Sequence, residues 1–240
     1  MFYKLRVLLI VPSYWNINRI PLGLIDFPTV PLGLCYIASV LEKESVQSTV
    51  FDMNAARFKN EKLEDKLKET NPDIVGITSM TSNFPSAVRV ASVVKRWNPK
   101  CVVVMGGVHA TFMHEEILET VPEVDFVVQY DGEFTMVDLV KTLSANDPLA
   151  EVKGICYRAN GKTVANSLRE RADLDKLPYP AHHLLKPSIE EYFGKTEPKT
   201  LPVITTRGCP FSCIYCSTRA LNGCKYRTRS INNVIGELEY

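Results

Sequence analysis

The sequence has no apolar run that approaches the roughly 18–20 residues of a membrane-spanning helix. Its first apolar run, in MFYKLRVLLIVPSYW, is short, and no small-residue cleavage site follows it, unlike in a secretory signal peptide. Low-complexity runs and internal repeats are absent as well. We therefore expect a cytoplasmic protein with no membrane partner.

Charge of one sign is not concentrated anywhere in the chain. The 240 residues carry a formal net charge of +1, and the basic residues are scattered, which argues against a nucleic-acid-binding face. With 45% apolar and 23% charged residues, the composition is that of a globular protein of one or two domains with a sizeable core. We expect no nucleic-acid partner.

Cysteine is present in an odd number, seven, and without a secretion signal this count does not indicate a disulfide framework. Cys35, Cys101 and Cys156 each lie in an apolar run, which predicts buried thiols that pack as small hydrophobic side chains. The stretch RGCPFSCIYCS (207–217) is different, because its three cysteines are clustered and flanked by Gly, Pro and Ser.

Short apolar runs alternate with helical patterns over the first 145 residues. A strand buried on both faces is continuously apolar, and such runs occur at 4–11, 48–53, 73–80, 101–107 and 124–130. Helical patterns occur at 31–44, 60–70, 82–97 and 132–143. This alternation predicts an α/β fold, a flavodoxin-like doubly wound parallel sheet whose ligands bind beyond the carboxyl ends of the strands.

The turns after these strands are rich in small and polar residues. A long loop, 12–33, follows the first strand, and TSMTSN (78–83), MGGVHAT (105–111) and YDGEFT (130–135) follow the third, fourth and fifth. Loops as long as the first are usually functional or disordered, and small residues let the backbone approach a large ligand closely. Ordinary turn chemistry would explain any one of these loops, but all four at one edge predict a sizeable ligand there.

The remaining residues change in character. GICYRANGKTVAN predicts two short strands around Asn160 and Gly161, a hairpin signal, and the Pro-rich, charged segment after it predicts a linker that packs along a surface. LPVITTRG (201–208) predicts another buried strand, and Ser230 is a candidate N-cap for a final helix. We expect three parts, with boundaries at 1–145, 146–198 and 199–240.

Three thiolates at C-x3-C-x2-C spacing would repel one another unless a cation shares them, so this stretch predicts a metal site. Zinc would need a fourth protein ligand, for which Cys224, His182 and His183 are candidates, although C-x3-C-x2-C-x7-C is not a common zinc spacing. The alternative is an iron–sulfur cubane held by three cysteines, which leaves one iron open to an outside ligand.

RGCPFSCIYCS resembles the cluster loop of radical S-adenosylmethionine enzymes, including the aromatic Tyr215 before the last cysteine. The resemblance implies that Cys209, Cys213 and Cys216 ligate a [4Fe-4S] cluster whose open iron binds the amino and carboxylate groups of S-adenosylmethionine. It also implies that Tyr215 lies near the adenine and that an external flavodoxin- or ferredoxin-type protein donates the electron. The flanking strand and helix would form the first βα unit of the family's partial TIM barrel.

The order of parts along the whole chain resembles the cobalamin-binding subfamily of these enzymes. MGGVHAT is similar to the subfamily's Gly-Gly-x-His-Ala-Thr turn, and YDGEFT is similar to its Gly-Glu-x-Thr segment. The resemblance implies that cobalamin binds at the sheet edge, with its dimethylbenzimidazole tail entering near TSMT and MGG. The residues implied to contact it are Ser79, Met80, Thr81, Gly106, Gly107, His109, Ala110, Thr111, Gly132 and Glu133.

The resemblance to methionine-synthase-type B12 domains is partial. Those domains carry D-x-H-x-x-G after the first strand, with the His as lower cobalt ligand, and aligning the glycine on Gly33 places Pro28 and Val30 at the Asp and His positions. The lower His is therefore missing; His109 is the candidate replacement, although a His beside Gly-Gly more often hydrogen-bonds backbone or phosphate. Two alternatives stay open: a domain that has lost its cofactor, and one that binds flavin mononucleotide, although PSYWNIN replaces the phosphate loop.

The resemblance implies an enzyme that uses S-adenosylmethionine for radical chemistry, with methyl transfer to an unactivated carbon of a small molecule as its expected reaction. The alternative within the family is oxidative ring closure of the anaerobic Mg-protoporphyrin ester cyclase type. The N-terminal segment 21–42 resembles that branch as much as the methylating one. A hypothesis of another class is a non-catalytic cobalamin carrier or sensor with a structural metal. Further barrel strands and a Gly-Gly-Glu-type turn do not follow, so we expect a truncated, inactive portion of a longer enzyme.

Overall fold

The computed structural model describes residues 5–14, 29–56, 62–193 and 200–240. Its central sheet contains β1 (Val7–Val11), β2 (Ser48–Asp52), β3 (Ile74–Thr78), β4 (Val102–Gly106), β5 (Phe126–Val128), β6 (Ile155–Ala159), β7 (Lys162–Ala165) and β8 (Leu185–Lys186). The strand order is β7-β6-β5-β4-β3-β1-β2-β8. Strands β1 to β5 are parallel to one another, in the order of a flavodoxin-like sheet. The predicted fold class is confirmed.

The helices are α1 (Leu32–Lys43), α2 (Met53–Ala56), α3 (Leu63–Thr70), α4 (Phe84–Trp97), α5 (Val108–Phe112), α6 (His114–Thr120), α7 (Glu133–Ala145), α8 (Ile189–Phe193), α9 (Thr218–Asn222) and α10 (Ile231–Glu239). The helical patterns predicted before residue 146 correspond to α1, α3, α4 and α7. Helices α3 and α7 are capped at their C-termini by Asn71 and Asn146, both in the left-handed conformation that Asn tolerates. Within the described ranges, no helix combines the length and apolar content of a membrane span.

Helices cover both faces of the sheet. Val7, Leu9 and Val11 of β1 belong to the core that also contains buried residues of α1 and α7. Leu8 and Ile10 belong to the other core, with buried residues of α3, α4 and α6. Because strand side chains alternate with a period of two, a strand covered on both faces has to be apolar at every position. This double burial explains the continuous apolar runs.

Residues 146–193 add three strands to the same sheet. The hairpin β6–β7 turns at Asn160 and Gly161, whose φ angles of 51° and 73° suit the tight turn that Asn-Gly favours. β6 pairs antiparallel with β5, and β8 pairs parallel with β2 at the opposite edge. β8 has no counterpart among the predicted strands, since two residues in a Pro-rich segment carry no periodicity. The domain boundaries stay a prediction.

The prediction of a buried strand over 201–208 is wrong for most of its length. Only Thr206–Arg207 form a strand, β9, which pairs antiparallel with β10 (Arg227–Thr228). Leu201 is 45% exposed, and no strand ladder includes residues 200–205 in the described part of the chain. Apolar content is local, whereas a strand also needs a neighbouring backbone to pair with. The predicted N-cap is confirmed, because the Ser230 hydroxyl accepts a hydrogen bond from the Asn233 N–H at 3.3 Å.

The three cysteines predicted to be core residues are buried. Cys35, Cys101 and Cys156 are at most 1% exposed. Burial raises the pKa of the Cys35 thiol to about 12 and that of Cys101 to about 12, because a thiolate in an apolar surrounding loses its hydration. Burial also raises the pKa of Cys156 to about 11. These thiols are therefore protonated and unreactive at neutral pH.

Replacing Leu41 with alanine should destabilise the fold strongly. Leu41 is 0% exposed, so loss of its side chain leaves a cavity that costs about 2–5 kcal/mol of unfolding free energy. Leu168→Ala is the matched control, since Leu168 is 53% exposed and its truncation should cost less than about 0.5 kcal/mol. Urea denaturation of both variants and the unsubstituted chain measures the difference. Equal costs would contradict the position of the core.

Candidate functional site

A cavity of about 470 Å³ opens at the carboxyl ends of β1, β3, β4 and β5. Leu9, Val104 and Met136 contribute apolar side chains to its wall, and Gly106 and Gly132 contribute backbone from two of the turns. A volume of this size is typical of sites that bind a small molecule or a cofactor. The cavity therefore lies at the edge where the turn residues predict a ligand.

The structure brings together the turns after β3, β4 and β5 but separates the roles of their residues; most of the fourth predicted loop, 12–33, lies outside the described residues. Met80, Gly106, Gly107, Gly132 and Glu133 line the cavity. Ser79, Ala110 and Thr111 are buried and support the turns, whereas Thr81 and His109 lie outside the described cavity wall. As cofactor contacts, all ten residues stay a prediction.

Ser79 and Gly107 lock the turns after β3 and β4 together. The Ser79 N–H donates to the Gly106 carbonyl at 2.7 Å, and the His109 N–H donates to the Ser79 carbonyl at 3.1 Å. Gly107 has a φ of 94°, and a Cβ there would lie 2.7 Å from the Ser79 carbonyl oxygen. Only glycine fits, because a side chain would meet both backbone strain and the neighbouring turn. The glycine thus permits the close backbone approach that forms the edge of the site.

His109 packs against the neighbouring turn and helix. Its ring centroid lies 4.2 Å from that of Phe84, and its Nδ1 lies 3.2 Å from the Thr81 hydroxyl. Burial lowers the pKa of His109 below its ordinary value of 6.5, and the charge of Glu116 opposes this effect. The neutral imidazole is therefore favoured, and a tilted ring contact and one hydroxyl contact hold it.

Thr111 ties the turn after β4 to the end of β5. Its hydroxyl accepts a hydrogen bond from the Tyr130 N–H at 3.0 Å. Tyr130 lines the cavity and has a φ of 61°, an uncommon conformation for a side chain of this size. The guanidinium of Arg171 lies 4.1 Å from the centroid of the Tyr130 ring and covers this residue by a cation–π contact.

An ion-pair cluster joins the cavity to the segment that carries the cysteines. One nitrogen of Arg207 lies 2.6 Å from Glu133 Oε1 and another lies 3.2 Å from Asp131 Oδ1. The second oxygen of Asp131 accepts from Arg227 at 2.9 Å. Although burial opposes its charge, the pKa of the Arg207 guanidinium is raised by Glu133 and then by Asp131. Two guanidinium groups and two carboxyl groups thus meet in one cluster, in which Glu133 Oε2 and two nitrogens of Arg227 are buried without a hydrogen-bond partner among the described residues.

The cysteine loop lies at the surface. Cys209 is half-buried, Cys213 and Cys216 are exposed, and Tyr215 is 89% exposed. The Thr218 hydroxyl and backbone N–H, at the start of α9, lower the pKa of Cys216 by hydrogen bonding to it. Across the described residues, no three His, Cys, Asp or Glu side chains are gathered closely enough to hold a metal ion. The three-cysteine ligand set stays a prediction.

The candidates for a fourth zinc ligand have different surroundings. His183 Nε2 lies 2.8 Å from Glu42 Oε1 on α1, and His182 Nδ1 is buried with no hydrogen-bond partner. Burial lowers the pKa of His182. Cys224 is exposed.

Val30, at the position of the lower cobalt ligand, is 4% exposed, and Pro28 lies outside the described residues.

Several cavity residues have no counterpart among the predicted ones. Arg207 and Asp131 come from sequence stretches already identified, next to the cysteines and to Gly132, but their charges carried no ligand signal by themselves. Gly76 lies inside β3, where a Cβ would come within 2.7 Å of the Leu9 side chain. A glycine inside an apolar strand run was the available signal, since such a glycine often marks a close approach.

Replacing Gly107 with alanine should destabilise the site edge. The added Cβ would meet the Ser79 carbonyl at 2.7 Å in addition to the strain of a positive φ, and we expect a loss of about 1–3 kcal/mol in unfolding free energy. Gly161→Ala is the control, because Gly161 also has a positive φ but has nothing within 4 Å of the added Cβ. In urea denaturation, the Gly107 variant should lose more stability. A Gly161 variant that loses as much would show that steric contact with Ser79 is unimportant.

The sequence matches known proteins along most of its length. The model of the B12 binding domain matches residues 19–140, just over half of the chain. An uncharacterized methyltransferase of Pyrococcus horikoshii is 36% identical over 209 residues, covering 87% of this chain and 45% of that protein. An anaerobic magnesium-protoporphyrin IX monomethyl ester cyclase of Rubrivivax gelatinosus is 31% identical over 241 residues, covering 98% of this chain and 42% of that protein. The chain spans less than half the length of these relatives.

The fold is shared with a solved structure. OxsB, a cobalamin-dependent S-adenosylmethionine radical enzyme with aqua-cobalamin and S-adenosylmethionine bound, matches with a TM-score of 0.79 and 22% identity, covering 98% of this chain and 31% of that chain. At this identity the match establishes the fold, and it includes the cysteine segment because nearly the whole chain is covered. The match of the family model over residues 19–140 shows that the chain belongs to the B12-binding domain family.

Proposed function

We propose that the chain provides the cobalamin-binding domain and the cluster-binding start of a B12-dependent radical S-adenosylmethionine enzyme. One observation carries this proposal: Arg207 and Asn222, which flank the three cysteines in the chain, both line the cavity at the carboxyl ends of the strands. Family membership and the names of the relatives support it. The proposal concerns the whole protein. Within this chain, we propose a cobalamin-binding domain at 1–145, a hairpin and linker at 146–198, and the start of the radical S-adenosylmethionine domain at 199–240.

The cavity has features that suit cobalamin. The apolar wall of Leu9, Val104 and Met136 fits an aromatic base. The glycine backbone of Gly106 and Gly132 allows a large ring to approach the turns closely. Among the described residues, no histidine lines this cavity, so we propose that cobalamin binds without a histidine ligand from its wall.

The cysteine loop has the donor chemistry of an iron–sulfur site. We propose that Cys209, Cys213 and Cys216 hold a [4Fe-4S] cluster, with Tyr215 beside S-adenosylmethionine. Thiolates are the form that binds iron, and the hydrogen bonds from Thr218 favour the thiolate of Cys216. When bound, the two cofactors would supply reductive cleavage of S-adenosylmethionine and a transferable methyl group.

The chain's own residues would orient the cofactors and limit access of water. The apolar side chains in the cavity wall exclude water from the ligand, and the Ser79–Gly107 contact keeps two of the surrounding turns in one arrangement. The Glu133–Arg207 ion pair holds the cysteine segment at the cavity. We assign no proton transfer to these residues, because their arrangement supports binding and positioning.

Methyl transfer to an unactivated carbon of a small molecule is the reaction that we propose. The methyltransferase of Pyrococcus horikoshii is the more similar of the two relatives, at 36% identity. Oxidative ring closure is the second candidate, because the cyclase of Rubrivivax gelatinosus matches over 98% of the chain. We also propose a flavodoxin- or ferredoxin-type electron donor and a cytoplasmic location, where thiols stay reduced.

Reconstitution should load iron on the three cysteines. After anaerobic incubation with iron and sulfide and removal of the excess, we expect about four irons per chain by metal analysis. Cys213→Ala should lose most of this iron, whereas Cys224→Ala, which removes another exposed cysteine, should retain it. Zinc in place of iron, or equal loss from both variants, would overturn the radical enzyme and favour a carrier with a structural metal.

Hydroxocobalamin added to the same samples should bind in the cavity, giving about one cobalt per chain after desalting. Gly106→Leu introduces a bulky side chain at the cavity wall and should weaken cobalamin binding at least about tenfold while iron is retained. Gly106→Ala is the control, since its Cβ would come no closer than 3.7 Å to any neighbour. Iron without cobalt in the unsubstituted chain would indicate a domain that has lost its cofactor.

A further inference from the structure

Arg207 connects two regions that the proposed function assigns to different cofactors. Its side chain lines the cavity, and its backbone lies two residues before Cys209. Between them, Gly208 has a φ of 102°, and a Cβ there would overlap the Lys225 carbonyl oxygen. The backbone between Arg207 and Cys209 is therefore closely packed against the segment that follows the cysteine loop.

Arg207 contacts two carboxyl groups at the β5–α7 turn. The guanidinium pairs with Glu133 through one nitrogen and with Asp131 through another, at 2.6 and 3.2 Å. Asp131 also binds Arg227, and Arg227 is the strand partner of Arg207 in the β9–β10 ladder. The Asp131 carboxylate therefore contacts both β9, which precedes the cysteine loop, and β10, which follows it.

The burial of these charges makes the arrangement specific. The side chains of Arg207 and Asp131 are 12% and 11% exposed, and that of Glu133 is 4% exposed. Removal of one partner from such a cluster leaves a charge without compensation in a poorly hydrated place. The planar guanidinium is also the group that can contact two carboxylates at once, which an ammonium does less well.

The same turn forms part of the cavity wall. Asp131, Gly132 and Glu133 all line the cavity, so a ligand packed against this wall restricts the carboxylates that hold Arg207. The cysteine loop, by contrast, is exposed at Cys213 and Cys216, and ordering it around a metal cluster costs conformational entropy. A ligand that restricts the turn also restricts Arg207 and the start of the cysteine loop, so less conformational entropy remains to be lost when the cluster assembles.

We propose that Arg207 is a positioning residue that couples the two sites, so that occupation of the cavity and assembly of the cluster on the cysteine loop strengthen each other. The inference rests on the proposed function and adds to it a linkage between the cofactors. Binding linkage is reciprocal. Cobalamin should therefore bind more tightly to the chain that carries the cluster, and the cluster should form more readily in the chain that carries cobalamin.

The test is a comparison of two dissociation constants for hydroxocobalamin, measured anaerobically on the full chain with and without the reconstituted cluster. We expect the cluster to tighten binding at least about fivefold. In Arg207→Met this ratio should fall to about one while cobalamin still binds, and in Arg207→Lys it should be intermediate. Arg169→Met is the matched control: Arg169 pairs with Asp138 on α7 and does not line the cavity, so the ratio should match that of the unsubstituted chain.

A ratio of about one in the unsubstituted chain would overturn the coupling and leave the proposed function intact. The same ratio in Arg207→Met as in the unsubstituted chain would overturn the role of Arg207. Absence of cobalt or iron from the unsubstituted chain would overturn the proposed function and the coupling with it. If circular dichroism shows that Arg207→Met does not fold, Glu133→Gln replaces it, because it keeps the shape of the side chain and should also lower the ratio. An unchanged ratio in Glu133→Gln would then contradict the inference.

Discussion

Two-sided burial of the parallel sheet is the constraint from which the position of the site follows. β1 pairs with β2 on one side and with β3 on the other, and helices from both cores cover its two faces. Helix α1, which follows β1 in the chain, packs on one face, and α4, which follows β3, packs on the other, so the strand order reverses here in the way that marks ligand sites in such sheets. The cavity lies at this point, and its apolar wall includes Leu9 of the central strand. The sheet thus determines both the place of the site and its apolar wall.

Buried polar contacts help to attach the last forty residues to the rest of the fold. Besides the Arg207 cluster, Arg229 pairs with Glu237 and donates to the Tyr36 hydroxyl, and all three side chains are nearly buried. The apolar side chains of α10 contribute less, since Ile231 and Leu238 are 77% and 69% exposed. Buried ion pairs add little net stability but tolerate few alternative geometries. The orientation of the cysteine segment toward the cavity therefore depends on a few charged side chains.

The cysteines illustrate how environment divides one residue type into two chemistries. The thiols in the cores are inert because burial raises their pKa, as at Cys35. Cys216 is exposed beside the start of α9, where hydrogen bonds from Thr218 lower its pKa. A chain with both kinds of thiol can keep a stable interior and still present reactive ligands at its surface. In the proposed enzyme, only the second kind would bind iron.

Elements whose signal is local could be predicted from the sequence. The apolar runs predicted β1 to β5, and Asn160-Gly161 and Ser230 marked the hairpin and the N-cap, because turn and cap chemistry act over a few residues. The small turn residues indicated the edge of the sheet at which the cavity occurs. Features that depend on distant partners became visible only in the folded structure. β8 pairs with β2, and the strand predicted over 201–208 is limited to Thr206–Arg207. Arg207 contacts Glu133 across a sequence separation of 74 residues. Strand pairing and buried ion pairs arise only when the folded chain brings their partners together, so no local pattern could have revealed them.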